Sequence, residues 1–419
     1  MVKPLINITR KQALIFAAFL VLYEFLTYIS NDMIMPGMIK VVESFNGSES
    51  AIATSLTAYL LGGASLQLFL GPISDRYGRR PVMIFGAILF FVCTIFIACS
   101  NSMDQFLTAR FFQGMGLCFI GVIGYATLQE IFAEMDAIRL IAIMANVSIL
   151  APLIGPLLGA VFILYFSWRF IFIIIGAFAL LALWGLWRYM PEPVGQTKRD
   201  GEKIRRISLS PAVVARNYKD LFLNRSFICG SVALGLLSIP CVAWIALSPV
   251  IMISDAQLSV IQYGLWQLPV FGAAILGNWS LLHLTHKGTA KKIVWIGTGI
   301  TFLSLLACYL LPLTVSSNYI WLMPGLIMYF FGLGMTNAPL TRIVLFSTPV
   351  AKGTASALMN VLSMLIQALG IEGANILYST HNNVYFGMYC ASVGVVYLIF
   401  LSGAVRLGKT GIDKEAVTG

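Results

Sequence analysis

Four side chains embedded in apolar sequence carry the chemistry of this chain. Glu24, Tyr28 and Asp32 follow one another at four-residue spacing in LYEFLTYISNDMIMPG, and Arg110 sits in FLTARFFQGMG. On a helix each four-residue step turns the side chain by about 40°, so the three form one polar stripe, with Asn31 beside it. Two carboxylates and one guanidinium carry a charge of about −1 with both acids ionised and none once a single proton is taken up. Such a group can exchange a proton for a cationic guest. Desolvation disfavours an ionised carboxyl and a guanidinium favours it, each tenfold change being about 1.36 kcal/mol, so the two effects together set the exchange. Either acid is a candidate for the proton.

These residues are informative because of where they lie. Of 419 residues 59% are apolar and only 11% charged. That excludes a cytosolic enzyme, a disulfide-rich secreted scaffold and a disordered chain. At roughly 20 residues per span the apolar content suffices for about twelve bilayer-crossing helices. Charged and turn-forming residues divide it into runs at 12–33, 51–70, 82–100, 105–129, 138–164 and 168–189, then 226–250, 259–282, 292–312, 319–343, 354–378 and 384–405. No period-two alternation of a membrane barrel is present, so the spans are helices that satisfy their own backbone. The first run holds Glu24 and Asp32 and no small-residue cleavage site, which reads as a retained helix. An Asp or Arg at mid-membrane costs about 2.5–3.5 kcal/mol, and residues retained against that cost are functional by default. The competing reading is a structural ion pair, with Asp32 reaching water at a helix end.

Basic residues set the orientation. With both termini on the cytoplasmic side, 24 of the 27 Lys and Arg fall in inner segments; only Lys40 and Arg169 fall outside, and Arg110 lies within a span. That bias is the positive-inside pattern. It accounts for the net charge of +10 as an insertion signal, so no nucleic-acid partner is expected. The seven cysteines lie in or at the ends of apolar runs without metal-ligand spacing, and His283 and His286 lack Cys or acidic partners, so no metal is expected. No phosphate-binding glycine loop or nucleophile–base pair occurs; a non-enzyme without cofactor is expected.

The longest polar stretch, 190–225, splits the spans six and six. The reading is an N-terminal bundle over 1–189, a cytoplasmic linker over 190–225, a C-terminal bundle over 226–406 and a tail over 407–419. Two internal echoes agree: MANVS at 144–148 with MNVLS at 359–363, and FFQGMG at 111–116 with FFGLGM at 330–335. Duplicated six-helix halves are a transporter architecture. The echoes put Met328 at the position of Arg110, and Leu237 and Ile245 where Glu24 and Asp32 stand. Proton coupling is then confined to the first half, with walls such as Trp244, Tyr263 and Trp266 in the second.

Two motifs complete the reading. GPISDRYGRRPV contains Gly71, Asp75, Arg76, Gly78, Arg79 and Arg80; its glycines permit a tight reversal and Pro81 suits a first helical turn. ILAPLIGPLLGA holds Pro152, Gly155, Pro156 and Gly159, with Ala142, Ala151 and Ala160 nearby; small residues allow close helix approach and prolines bend the helix. The first matches G-x-x-x-D-R-x-G-R-R of the major facilitator superfamily. The second, with alanines at usual glycine positions, resembles the antiporter motif of its twelve-helix drug/proton antiporters. The resemblance covers nearly the whole chain. It implies an all-α membrane fold of two pseudo-symmetric six-helix bundles, and a proton-driven multidrug efflux antiporter that works by alternating access. It also implies Glu24, Asp32 and Arg110 as the proton and substrate site, Tyr28, Asn31, Asn146 and Ser148 as cavity lining, and the 71–80 motif as a conformational latch. Ser148 departs from the family, standing in place of a smaller apolar residue. The expected partners are small drugs or lipophilic cations, protons and the lipid bilayer; the expected state is a monomer in a bacterial inner membrane. The alternative is an exporter dedicated to one endogenous metabolite or siderophore. The roles of Glu130 and Glu372 stay open.

Overall fold

The computed structural model describes residues 4–132, 134–199, 204, 211–285, 290–350 and 352–407. Among them the chain is predominantly helical, with an isolated bridge between Pro4 and Phe132. The elements are α1 (Arg10–Asp32), α2 (Met38–Ser44), α3 (Ser50–Ser65), α4 (Gln67–Tyr77), α5 (Arg79–Ala98), α6 (Met103–Gly114), α7 (Gly116–Cys118), α8 (Tyr125–Ile131), α9 (Glu134–Tyr165) and α10 (Trp168–Tyr189). After them come α11 (Pro211–Leu223), α12 (Arg225–Pro249), α13 (Val260–Thr285), α14 (Ala290–Thr314), α15 (Met323–Leu345), α16 (Lys352–Tyr378) and α17 (Asn383–Leu407). Cap side chains start several of them: Thr9 accepts from Gln12 N, Ser102 from Gln105 N and Asn224 from Phe227 N.

Ten described helices or helix runs are long and apolar enough to cross a bilayer, and the pair α3–α4, bent by 41°, forms an eleventh. The remaining expected span corresponds to α9, whose Leu150–Tyr165 part is a shorter apolar helix. The burial pattern is that of a protein dissolved in lipid. Phe85, Trp187, Trp279, Leu303 and Ile399 are all more than half exposed, whereas Glu24, Asp32, Arg110 and Gln113 are buried. Water would not tolerate so much exposed apolar surface. The chain is a multi-pass membrane protein.

Contacts divide the chain into two compact units, residues 1–47 with 58–213, and 48–57 with 214–419. Each contains the same close backbone approach. In the first, a Cβ on Gly62 would overlap the Phe111 carbonyl oxygen and one on Gly114 the Tyr59 carbonyl oxygen, so α3 and α6 touch through their backbones. In the second, Gly277 meets the Phe331 carbonyl oxygen and Gly334 that of Ala274 in the same way, joining α13 and α15. Only glycine lets helices in lipid approach this closely. The repeat aligns Gly114 with Gly334, and therefore Arg110 with Phe330.

Two local features depart from the sequence reading. Residues 71–82 look like a loop, yet α4 continues to Tyr77 through Pro72, and the reversal falls on Gly78 at φ +107°. Across that reversal Arg79, the first residue of α5, pairs back with Asp75 on the last turn of α4. The span expected at 105–129 is interrupted by a π-helical turn over Phe119–Gly124, between α7 and α8.

Candidate functional site

The polar stripe on α1 lies inside the first unit. Glu24 is 1% exposed and Asp32 5%. Asp32 therefore does not reach water from its helix end, which counts against the solvated reading. Around them α1 satisfies its own small hydroxyls: Thr27 Oγ1 donates to the Glu24 carbonyl at 2.7 Å and Ser30 Oγ to that of Thr27 at 2.9 Å. Tyr28 on the same stripe is half-buried.

Arg110 is fully buried on α6. Its Nη2 donates to Asn31 Oδ1 at 2.5 Å, its Nη1 to Gln113 Oε1 at 2.7 Å and, at 3.4 Å, to the Ser30 carbonyl. Asn31 Nδ2 in turn donates to Asp32 Oδ1 at 3.3 Å. Asn31 is thus the relay between guanidinium and carboxylate. Gln113 is held from behind, its Nε2 donating to Thr94 Oγ1 at 2.9 Å. Sequence reasoning brings Glu24, Asp32 and Arg110 forward because charge in an apolar run stands out. It misses Gln113 and Thr94, which are neutral.

Glu24 has a partner that the sequence does not announce. Tyr125 Oη, at the start of α8, donates to Glu24 Oε1 at 2.8 Å. It follows directly on the π-helical turn, a kind of irregularity often found at functional sites. The side chains of Asn146 and Ser148 lie outside the described residues.

The expected antiporter motif packs on α1 at Asp32. A Cβ on Gly155 would come within 2.9 Å of Asp32 Cβ, and one on Gly159 would overlap the Met33 carbonyl oxygen. Pro152 and Pro156 lie within α9. These small residues let α9 approach the carboxylate-bearing end of α1.

The Gly71–Arg80 motif forms a second polar cluster at the α4–α5 turn. Arg79 Nη2 pairs with Asp75 Oδ1 at 2.6 Å and with Glu130 Oε1 at 2.8 Å, and Nε donates to Glu130 Oε2 at 3.3 Å. Its Nη1 donates to Ser74 Oγ, which donates to the Gly71 carbonyl. Glu130, left open by sequence, is thereby part of this cluster. A further carboxylate was not foreseen: Glu192, beyond α10, accepts from Arg79 N and Arg80 N at 3.0 Å each, one oxygen per amide. It caps the orphan amides of α5 and meets the positive end of its dipole. Arg80 Nη2 donates to the Trp187 carbonyl, and Arg76 lies 5.5 Å from the Tyr77 ring centroid.

In the second unit the position assigned to Arg110 is corrected. Met328 is 51% exposed and points away from the interior. The glycine contact instead makes Phe330 the counterpart, a buried ring edge-on to Phe271 at 4.9 Å. Met328 is two residues out of this register, and the echo itself, which pairs Phe111 with Phe330, is one residue out: its FF pairs match by letters, whereas the backbone contact pairs Phe111 with Phe331. Trp244 is buried, Nε1 donating to Gln267 Oε1 at 2.9 Å; Tyr263 is buried beside Ser248, and Trp266 is half-buried. Oε1 of Glu372, on α16, is buried with no hydrogen-bond partner among the described residues.

An all-helical multi-pass protein with repeated backbone contacts in two units, and with ionisable side chains buried among its spans, has the architecture of a secondary transporter. The Major Facilitator Superfamily profile matches residues 20–371, and the chain belongs to that family. It is 46% identical over 405 residues to the multidrug transporter MdfA of Yersinia pestis bv. Antiqua (strain Angola), covering 97% of each chain. With the multidrug transporter MdfA of Escherichia coli O157:H7 it shares 44% identity over 388 residues, 93% of each. Its fold is similar to that of a bacterial homolog of the human lysosomal transporter Spinster, at a TM-score of 0.72 and 15% identity over 97% of this chain and 98% of that one.

Proposed function

We propose that this chain is a proton-coupled multidrug antiporter that exports lipophilic cationic and neutral compounds by alternating access. The observation that carries the reading is the burial of Glu24 and Asp32 on one face of α1, with Asp32 joined through Asn31 to Arg110. The full-length similarity to multidrug transporters points the same way. In this reading the carboxylates bind either a proton or the drug. A proton entering from outside neutralises a carboxyl and releases the guest; loss of that proton inward restores the binding state. Exchange of one proton for one monovalent cation moves no net charge, whereas exchange for a neutral drug gains about 2.3 kcal/mol per 100 mV. Tyr125 holds Glu24, and Tyr28, Asn31, Asn146 and Ser148 line the path.

The chain sits in a bacterial inner membrane with both termini cytoplasmic, as the basic residues indicate. It works as a monomer of two six-helix bundles, 1–189 and 226–406, joined by the 190–225 linker. The Asp75–Arg79–Glu130 cluster then lies on the cytoplasmic side and acts as a latch. The test is a substrate panel in proteoliposomes with an imposed pH gradient. Ethidium, tetraphenylphosphonium and chloramphenicol are expected to move against it, and Glu24→Gln with Asp32→Asn to abolish the coupling. Unchanged proton-driven efflux from the double variant removes both acids from the mechanism; movement of a single compound only makes the chain a dedicated exporter.

A further inference from the structure

The Arg110 guanidinium rests on an aromatic face. Its Cζ lies 4.5 Å from the centroid of the Tyr59 ring, and both side chains are buried, Tyr59 2% exposed and Arg110 not at all. The Tyr59 hydroxyl donates to the Thr27 carbonyl on α1 at 2.5 Å. One residue of α3 therefore touches both helices that carry the charges, α6 through its ring and α1 through its hydroxyl. The ring is placed by the backbone: Gly114, four residues after Arg110, lies against the Tyr59 carbonyl oxygen with no room for a Cβ, and Gly62 lies in the same way against Phe111. The α3–α6 glycine contact thus fixes the distance between the ring and the cation.

The second unit supplies an internal comparison. It repeats that contact with Gly277 and Gly334, but Ala274 stands where Tyr59 stands and Phe330 where Arg110 stands. The two features are present together in one unit and absent together from the other. A ring needed only to fill space at this contact has no reason to accompany the cation. A cation in lipid-buried surroundings does need the ring, whose negative face attracts it without adding a carboxylate that would compete for protons.

We propose that Tyr59 is a positioning residue for proton–drug exchange, holding the Arg110 guanidinium by its ring face so that it reaches Asp32 through Asn31. The inference rests on the antiport reading given above. Arg110 Nη2 donates to Asn31 Oδ1 and Asn31 Nδ2 donates to Asp32 Oδ1, so a guanidinium held on the ring reaches the carboxylate through one side chain. Without the ring the guanidinium loses a desolvated cation–π contact and leaves Asn31 Oδ1, and the ionised carboxylate loses its countercharge.

The experiment compares Tyr59→Phe, Tyr59→Trp, Tyr59→Leu, Arg110→Met and the Leu/Met double variant in proteoliposomes. It measures tetraphenylphosphonium efflux under an imposed pH gradient and tetraphenylphosphonium binding as a function of pH; thermal melting reports folding. Phe and Trp keep the aromatic face and are expected to retain at least about half of parental coupled efflux, since the face supplies the attraction. Leu, close in volume without the face, is expected to lower it about tenfold and to move the pH at which binding is half-maximal. The double variant is expected to match Arg110→Met alone, because a residue acting only through Arg110 has nothing left to act on. Leu behaving as the parent, Phe and Trp failing as badly as Leu, or additive losses in the double variant would each overturn the proposal. If Arg110→Met itself pumps normally, the antiport reading falls; if Arg110→Met is inactive while Tyr59→Leu pumps like the parent, only the role of Tyr59 falls. Should Leu melt early, the two aromatic variants and their pH profiles still decide the outcome.

Discussion

Replacing Glu130 by Gln tests the latch at its strongest contact. Arg79 presents Nε and Nη2 to the two Glu130 oxygens at 3.3 and 2.8 Å, a fork on a carboxylate. Gln keeps the length and one acceptor, but sets an amide NH2 against an N–H donor. The variant loses one charge-assisted bond outright and weakens the other. Hydrogen bonds to charged groups contribute about 1.5–3 kcal/mol. The Glu130 side chain is 21% exposed and Asp75 still holds Arg79 at 2.6 Å, so a value near the lower end, about 2 kcal/mol, is appropriate. That is about thirtyfold in the ratio of closed to open cluster. A cysteine placed at Leu128, which is fully buried on α8 two residues before Glu130, reports the opening. With the exposed Cys99 changed to Ser, its maleimide labelling is followed by mass spectrometry in inside-out vesicles. If labelling requires opening, the rate follows the open fraction and rises about thirtyfold in Glu130→Gln. A rate within about twofold of the parent means that the ion pair is a solvated ornament and that the latch argument fails.

Three other outcomes are expected. Glu192→Ala uncaps Arg79 N and Arg80 N and is expected to cost about 1 kcal/mol of stability, read by thermal melting in detergent, with Glu192→Asp worse than Glu192→Gln if reach matters more than charge. Gly155→Ala places a methyl within 2.9 Å of Asp32 Cβ and is expected to leave the protein folded but reduce coupled efflux several-fold; equal efflux would show that α9 yields at no cost to the site. Tetraphenylphosphonium binding is expected to fall as pH is lowered, because a proton neutralises the carboxylate that the cation needs, and to become flat in the Glu24→Gln/Asp32→Asn double variant; a slope that survives in that variant assigns the competition to other groups.

What could be read from the letters follows the physics of each residue. Bilayer solvent makes spans and buried charge legible, because a mid-membrane Glu24 or Arg110 is costly and therefore conspicuous. It hides the neutral partners. Asn31 as relay, Gln113, Tyr125 and Tyr59 are ordinary helix residues until geometry brings Tyr125 from α8 to Glu24 and Tyr59 from α3 to Arg110. The cluster around Arg79 shows the same division. Asp75 and Arg79 are four residues apart and could be paired on paper, but Glu130 and Glu192 come from 51 and 113 positions away. Their roles depend on helix packing that no local pattern encodes.

The misplaced counterpart of Arg110 shows which kind of internal repeat is trustworthy. Matching FFQGMG to FFGLGM compares side chains, and these differ between the two units. The glycines do not differ in that way, because a Cβ at Gly62, Gly114, Gly277 or Gly334 would overlap a carbonyl oxygen of the neighbouring helix. Backbone approach is thus the stricter constraint, because it leaves no room for a Cβ, whereas the side chains hung on it differ between the two units. Read in that register, the first unit holds Arg110 over Tyr59 and the second holds Phe330 against Phe271. One scaffold carries a desolvated cation on an aromatic face in one copy and an apolar ring pair in the other. If the glycine contact alone set function, exchanging Phe330 for Arg would create a second coupling site. The physical expectation is the reverse: with Ala274 in place of a tyrosine, Phe330→Arg is expected to leave an unsupported buried charge and to fail in membrane insertion or folding, whereas Phe330→Arg with Ala274→Tyr is expected to fold better than the single variant in the same melting assay.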